Sequence, residues 1–201
     1  LGNWVSKFFA KAQSPSVTED ELYDIIESIA DNGKMQAAES KLIFSALRFD
    51  DITAQEILTS RVSVVGVEVE ASYREILDTI QNNKFSRLPV YRETLDDILG
   101  ILNIRRFVKS YLQNGESVPV TELMDEPYFV HKKKRIDDLL DEMSAQRLHM
   151  AVVRDDFGGT MGIVTVEDIL EELVGEIWDE TDVVREEFQA IGGNRFEVSG
   201  D

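Results

Sequence analysis

The sequence contains no cysteine, which excludes disulfides, thiolate metal sites and a cysteine nucleophile. Its two histidines, His131 and His149, are too few for a His-rich metal centre. It has no run of about 18 uncharged apolar residues, the length a membrane-crossing helix needs. Cations are scarce as well: 21 Lys and Arg stand against 39 Asp and Glu, a formal net charge of −18. Nucleic-acid binding, which needs clustered Lys and Arg, is therefore not expected. The acidic surface serves solubility and can attract cations. There is no signal-peptide pattern, and the chain opens on Leu1 and ends at Asp201 just after a strand-like run, so it reads as a segment of something longer.

What is present is 201 residues, 43% of them hydrophobic, enough for one sizeable core or two small ones. Thr18-Glu19-Asp20-Glu21 is a capping box, with Val17 and Leu22 at the staple positions. It predicts a helix with Leu22, Ile25, Ile26 and Ile29 on one face, ended by Gly33. A second amphipathic helix is predicted on Ala38, Leu42, Ala46 and Phe49. Thr53-Ala54-Gln55-Glu56 repeats the capping logic, stapled by Ile52 and Ile57.

From there an internal repeat sets the architecture. Arg87-Leu88-Pro89-Val90 corresponds to His149-Met150-Ala151-Val152, and Gly100-Ile101-Leu102-Asn103 to Gly162-Ile163-Val164-Thr165, both at a step of 62 residues. Upstream the step drifts, with Glu56-Ile57-Leu58 matching Glu122-Leu123-Met124. Each repeat reads as a short helix, then an extended run (Val62 to Val65; Tyr128 to Val130). An amphipathic helix follows (Ile76, Leu77, Ile80; Leu139, Leu140, Met143), then two apolar strands. A closing helix ends the unit (Phe107, Val108, Tyr111; Ile169, Leu170, Leu173). Each unit is near the minimum size for a core, so the two are expected to pack together, with a ligand site in the groove between them. Near the end, Phe188 to Ile191, Gly192-Gly193 and Arg195 to Val198 predict a hairpin.

The strings Ser86-Arg87-Leu88-Pro89-Val90-Tyr91 and His149-Met150-Ala151-Val152-Val153 resemble those of the CorC/HlyC (hemolysin-like) family, as does the run from Asp156 to Glu172. Val174-Gly175-Glu176-Ile177 and Asp179-Glu180 extend the likeness. The resemblance implies an α/β fold, a tandem CBS pair related by a pseudo-two-fold axis and preceded by acidic helices. Its expected divisions are a helical linker over 1–51, CBS units over 52–115 and 116–178, and over 179–201 a linker and the truncated start of a C-terminal domain. It further implies a membrane-spanning domain upstream, a place at the cytoplasmic face of the cell membrane, and a homodimer formed through the CBS units. The expected role is regulation of magnesium or cobalt transport or efflux by a bound adenine nucleotide (ATP, ADP or AMP, with or without Mg2+), and not catalysis.

CBS modules resemble one another in a Gly-x-x-Thr/Ser-x-x-Asp ending, present here from Gly162 to Asp168. The resemblance implies that Thr165 and Asp168 hold the ribose while Val62 and Pro89 wall the adenine. Arg61, Arg87 or both would neutralise phosphate, a task suited to guanidinium geometry, with Thr59 and Ser86 completing the set. Thr165-Val166-Glu167-Asp168 is also an ordinary helix cap that needs no ligand. In the first repeat Asn103 and Arg106 stand at the Thr and Asp positions, and a guanidinium cannot accept ribose hydroxyl protons. One nucleotide site is therefore expected, not two. The basic stretch His131-Lys132-Lys133-Lys134 reads as a solvated turn or a phosphate contact, and Trp4, Phe8 and Phe9 with Lys7 and Lys11 as a membrane boundary or a loose terminus. No nucleophile–base pair or metal-ligand spacing stands out. Alternatives are a nucleotide-free dimerisation scaffold, a regulatory module of a soluble protein, and magnesium sensing by Glu19, Asp20, Asp179 and Glu180.

Overall fold

The computed structural model describes residues 25, 26, 28, 29, 36–175, 188–192 and 195–198, of which 37, 38, 188–192 and 195–198 are described by their backbone. The expected first helix falls mostly outside these residues. So do the aromatic and basic residues near Leu1, Glu19 and Asp20, and Asp179 and Glu180. Of the first helix, 25, 26, 28 and 29 are helical, with Ile26 buried and Ile25 exposed.

Helix α1 (Ala37–Arg48) docks against α6 (Val166–Val174). Of the expected inward face, Phe49 packs against a core, but Leu42 and Ala46 do not face inward. Both are exposed, while Ser40 is buried and Ile43, Phe44 and Leu47 are half-buried. Which stripe a docked helix turns inward depends on the surface it meets, and the flanking sequence does not specify that surface.

The remaining elements are α2 (Ala54–Ile57), β1 (Thr59–Ser60), β2 (Val67–Glu68), α3 (Tyr73–Asn82), β3 (Arg87–Arg92), β4 (Thr94–Asn103) and α4 (Ile104–Asn114). The second repeat supplies β5 (Met124–Asp125), β6 (Phe129–His131), α5 (Ile136–Gln146), β7 (Met150–Arg154) and β8 (Thr160–Thr165), followed by α6. Local chemistry sets several helix starts. Glu56 accepts from the Thr53 N–H at 2.7 Å, Glu75 from the Ser72 N–H at 2.7 Å, and Asn103 Oδ1 from the Arg106 N–H at 3.1 Å. Each satisfies a backbone donor that the helix or its cap leaves unpaired.

Two four-stranded sheets result, in the orders β2-β3-β4-β5 and β1-β8-β7-β6. Each takes an edge strand from the other repeat. β1 opens the first repeat but pairs antiparallel with β8, Thr59 opposite Ile163. β5 opens the second but pairs with β4, Asp125 opposite Ile101. The repeated glycines make this exchange possible. A side chain at Gly162 would collide with the Thr59 carbonyl oxygen and come within 2.9 Å of Leu58 Cδ1, and one at Gly100 would meet Met124 Sδ at 2.5 Å. The expected extended run at Val62 to Val65 is no strand: Arg61–Ser63 is a 3-10 turn. There the chain is passing from the edge of one sheet to the other, so the parallel partner of β3 comes later, at β2.

Each sheet carries its own core under its helices. One gathers Ile76, Leu88, Leu102 and Phe107, the other Ala54, Ile136, Leu139, Met143 and Ile169, all fully buried. The presence of Ala54 in the second core follows from the strand exchange. A third cluster of Ile98, Ile101, Met150, Val152 and Ile163 joins the two sheets. Burying one such side chain contributes about 1.5–3 kcal/mol. Beyond α6, Phe188–Gly192 (β9) and Arg195–Val198 (β10) pair antiparallel, the hairpin expected from the sequence. Among the described residues no helix is long and apolar enough to cross a membrane.

Candidate functional site

The strand exchange places the end of β8, the start of β3 and the segment after β1 around one cavity of about 200 Å³. Thr59, Arg87, Pro89, Thr165 and Asp168 all line it, with Ser63, Val64, Val65, Phe85, Met150 and Ile163. Three residues expected there are not in its lining. Val62 is 91% exposed. Ser86 is exposed, and its carbonyl oxygen accepts from the Ile104 N–H at 3.1 Å. Arg61 is turned to Asp96, Nη1 to Oδ1 2.7 Å.

Thr165 and Asp168 form the helix cap. The Thr165 N–H donates to Asp168 Oδ2 at 2.7 Å, and the Asp168 N–H donates to Thr165 Oγ1 at 3.2 Å. The cap uses only one carboxylate oxygen. Oδ1 makes no hydrogen bond among the described residues, so a carboxylate beside an open cavity retains acceptor capacity. Capping and ligand binding are thus compatible roles for one residue. Arg87 is half-buried at the rim and has no ion pair among the described residues. It is the cavity's available cation.

Apart from Ser63, the walls that sequence reasoning missed are apolar. Val64 and Val65 belonged to a run read as a strand, so their facing could not be assigned. Phe85, 52% exposed beside the cavity, precedes the Ser86-Arg87-Leu88-Pro89 string. An exposed aromatic at that position was the signal available. Met150 and Ile163 belong to the cluster between the sheets.

The related position in the other half is an open groove of about 440 Å³, lined among others by Arg87, Ile101, Asn103, Asp125, Glu126, Arg147, His149 and Met150. Here Arg106 Nη2 contacts Asp125 Oδ1 at 2.6 Å. The cation standing at the Asp168 position is thus paired with the carboxylate standing at the Thr59 position.

Two polar clusters lie outside these cavities. Asp96 Oδ1 accepts from the Thr160 N–H at 3.1 Å and from Arg61, tying the two halves together. Those bonds, the Thr160 N–H first, hold its carboxyl below the usual carboxylate range. The basic turn is exposed at His131 and Lys133, as expected, and also carries surface pairs. Lys132 and His131 both contact Asp156, and Lys134 contacts Glu142 at 2.9 Å. The Lys133 N–H donates to His131 Nδ1 at 3.2 Å, so Nε2–H faces Asp156 Oδ1 at 3.0 Å. Hydrogen bonds from Lys132 and then His131 push the Asp156 carboxyl down to about 2.

Paired repeats with exchanged edge strands and a cavity at a helix cap define a tandem CBS module. The family model for the CBS domain matches residues 54–113 and 120–175. The chain is similar to the CBS domain of the bacterial CNNM/CorC family Mg2+ transporter in complex with ATP: 38% identity, TM-score 0.65, covering 69% of this chain and 99% of that one. It is similar to a CBS-domain pair with bound AMP from Klebsiella pneumoniae, at 28% identity and TM-score 0.57, covering 62% and 99%. The UPF0053 protein YhdP of Bacillus subtilis (strain 168) is 34% identical over 186 residues, 91% of this chain and 42% of that protein. The chain belongs to the CBS domain family and, within it, to the CBS-pair region of the CNNM/CorC proteins. It spans less than half the length of the YhdP relative.

Proposed function

We propose that this CBS pair binds an adenine nucleotide in the cavity capped by α6 and thereby regulates a membrane transport or efflux protein for magnesium or cobalt. The observation that carries this reading is the convergence of Thr59, Arg87, Pro89, Thr165 and Asp168 on one cavity. Asp168 Oδ1 and Thr165 Oγ1 would bind the ribose hydroxyls. Pro89, Val64 and Phe85 would flank the base, and Arg87 would meet phosphate. The ATP and AMP held by the two solved relatives support that ligand class. Among the described residues no group of three or more acidic or histidine side chains forms a metal site. Magnesium would therefore be held chiefly by the nucleotide's phosphates. In this reading the module works as a homodimer at the cytoplasmic face of the membrane, attached to a membrane domain.

Thermal denaturation with ATP, ADP and AMP, each with and without Mg2+, tests the binding. A ligand at a hundred times its Kd stabilises the native state by about 2.7 kcal/mol, and Tm rises with concentration accordingly. An unchanged Tm with all three would refute the nucleotide reading and leave a dimerisation scaffold, whose signature is a dimer in analytical ultracentrifugation.

A further inference from the structure

We propose that Met124 is an oxidation site, and that its conversion to the sulfoxide by a peroxide releases strand β5 from the first sheet. The proposal does not depend on the nucleotide reading. With no cysteine in the chain, the thioethers of its five methionines are its sulfur groups open to two-electron oxidation. Among the described residues Met143 and Met150 are buried, while Met124 and Met161 are half-buried. Reaction requires access to the sulfur, which narrows the choice to the latter two.

Met124 differs from Met161 in what its sulfur holds. β5 has two residues and forms the outer edge of the order β2-β3-β4-β5, with Met124 opposite Leu102 and Asp125 opposite Ile101. An outer strand is bound from one side only. The Met124 side chain packs against the core of Ile76, Leu88 and Leu102 and lies over Gly100, where a Cβ would stand 2.5 Å from Sδ and 2.6 Å from Cγ. The thioether fills the gap left by the missing side chain, a use that suits its flexible, apolar character. The other attachment, Asp125 to Arg106, joins two half-exposed side chains and contributes little. Met161 lies on β8, between β1 and β7, so its strand is held from both sides. The repeat sharpens the contrast. A Cβ at Gly162 would likewise stand 2.9 Å from Cδ1 of Leu58, the counterpart of Met124, and a hydrocarbon does not undergo this reaction. Both exchanged strands use a glycine seat, and one of them fills it with an oxidisable group.

In the reaction the sulfur lone pair attacks one oxygen of hydrogen peroxide and the O–O bond breaks. The other oxygen leaves as water after proton transfer. Sulfur is oxidised by two electrons and the peroxide is reduced by two. Burying a polar sulfoxide against an apolar core is costly, so the product favours water and draws β5 off the sheet edge.

The test treats the wild type, Met124→Leu and Met161→Leu with hydrogen peroxide, then maps sulfoxides by peptide mass spectrometry and opening by amide hydrogen exchange. Leucine conserves the volume and stands at the equivalent position 58, so Met124→Leu keeps the fold. In the wild type, sulfoxide should form at Met124 and exchange at residues 100–102 and 124–125 should accelerate about tenfold or more. A methionine sulfoxide reductase should reverse both changes. Met161→Leu should respond as the wild type does, and Met124→Leu should not respond. Absence of sulfoxide at Met124, or its presence with unchanged exchange in β4 and β5, overturns the proposal. An equal acceleration in Met124→Leu also overturns it, because the effect would then arise elsewhere.

Discussion

Asp168→Ala separates the two tasks assigned to that carboxylate. Its Oδ2 receives the Thr165 N–H at 2.7 Å, half of a capping box, and loss of a cap costs about 1 kcal/mol of stability. On the proposed function the carboxylate also accepts from the ribose hydroxyls. Hydrogen bonds to a charged acceptor contribute about 1.5–3 kcal/mol each. Two at the low end give about 3 kcal/mol, or roughly a hundredfold in affinity. Urea denaturation without ligand should therefore show a loss near 1 kcal/mol, and calorimetric titration with AMP a Kd about a hundred times weaker. Asp168→Asn keeps an uncharged acceptor and should fall between. A variant that loses the stability but binds AMP with unchanged affinity would reduce Asp168 to a helix cap and remove the basis for the ribose assignment.

Gly162→Ala should destabilise the fold by about 2 kcal/mol in urea, because the new methyl displaces β1 at Thr59 from β8. Gly100→Ala should cost less, since a flexible Met124 side chain can yield more easily than backbone; equal effects, or none at Gly162, would refute this account of the strand exchange. Asp156, with its carboxyl pushed down to about 2, titrates below its unfolded value near 3.8. Its stabilisation is complete above that value and is lost as pH falls toward 2. Asp156→Asn should therefore be less stable than wild type above about pH 4 and converge with it near pH 2, with the gap shrinking in high salt; a gap independent of pH would contradict it.

The repeat made the fold class legible, because Gly100 and Gly162 recur within otherwise apolar strands at one fixed step. The capping residues Thr53, Asn103 and Thr165 marked three helix starts correctly, since a cap depends on neighbours in sequence. The strand exchange was not legible. β1 and β5 have two residues each, too few to show a period, and only tertiary contact decides which sheet they join. The position of Val62 was missed for the same reason. It was placed in an extended run, but the chain turns at Arg61–Ser63 and brings Val64 and Val65 to the cavity instead. Arg61 and Arg87 looked equivalent as cations. Their difference depends on Asp96, 35 residues beyond Arg61, which captures one and leaves the other free.

This division between the arginines bears on how binding could become movement. The capped cavity takes Thr59, Val64, Arg87 and Pro89 from the first repeat, and Met150, Thr165 and Asp168 from the second. A ligand that touches both has an affinity that depends on how the two halves sit, and it favours one arrangement only by binding it better. Opposing any shift are the apolar cluster between the sheets and the Arg61–Asp96–Thr160 bridge. The bridge is half-exposed, and surface ion pairs of this kind contribute at most about 1 kcal/mol. A tenfold preference for one arrangement supplies about 1.4 kcal/mol, enough to outweigh the bridge. The cluster of Ile98, Ile101, Met150, Val152 and Ile163 is different, because opening it would expose several side chains at about 1.5–3 kcal/mol each. On the proposed function, a ligand-driven change between the halves would be confined to motions that keep this cluster closed. A pivot about it, with the Arg61 bridge making and breaking at the rim, satisfies both limits.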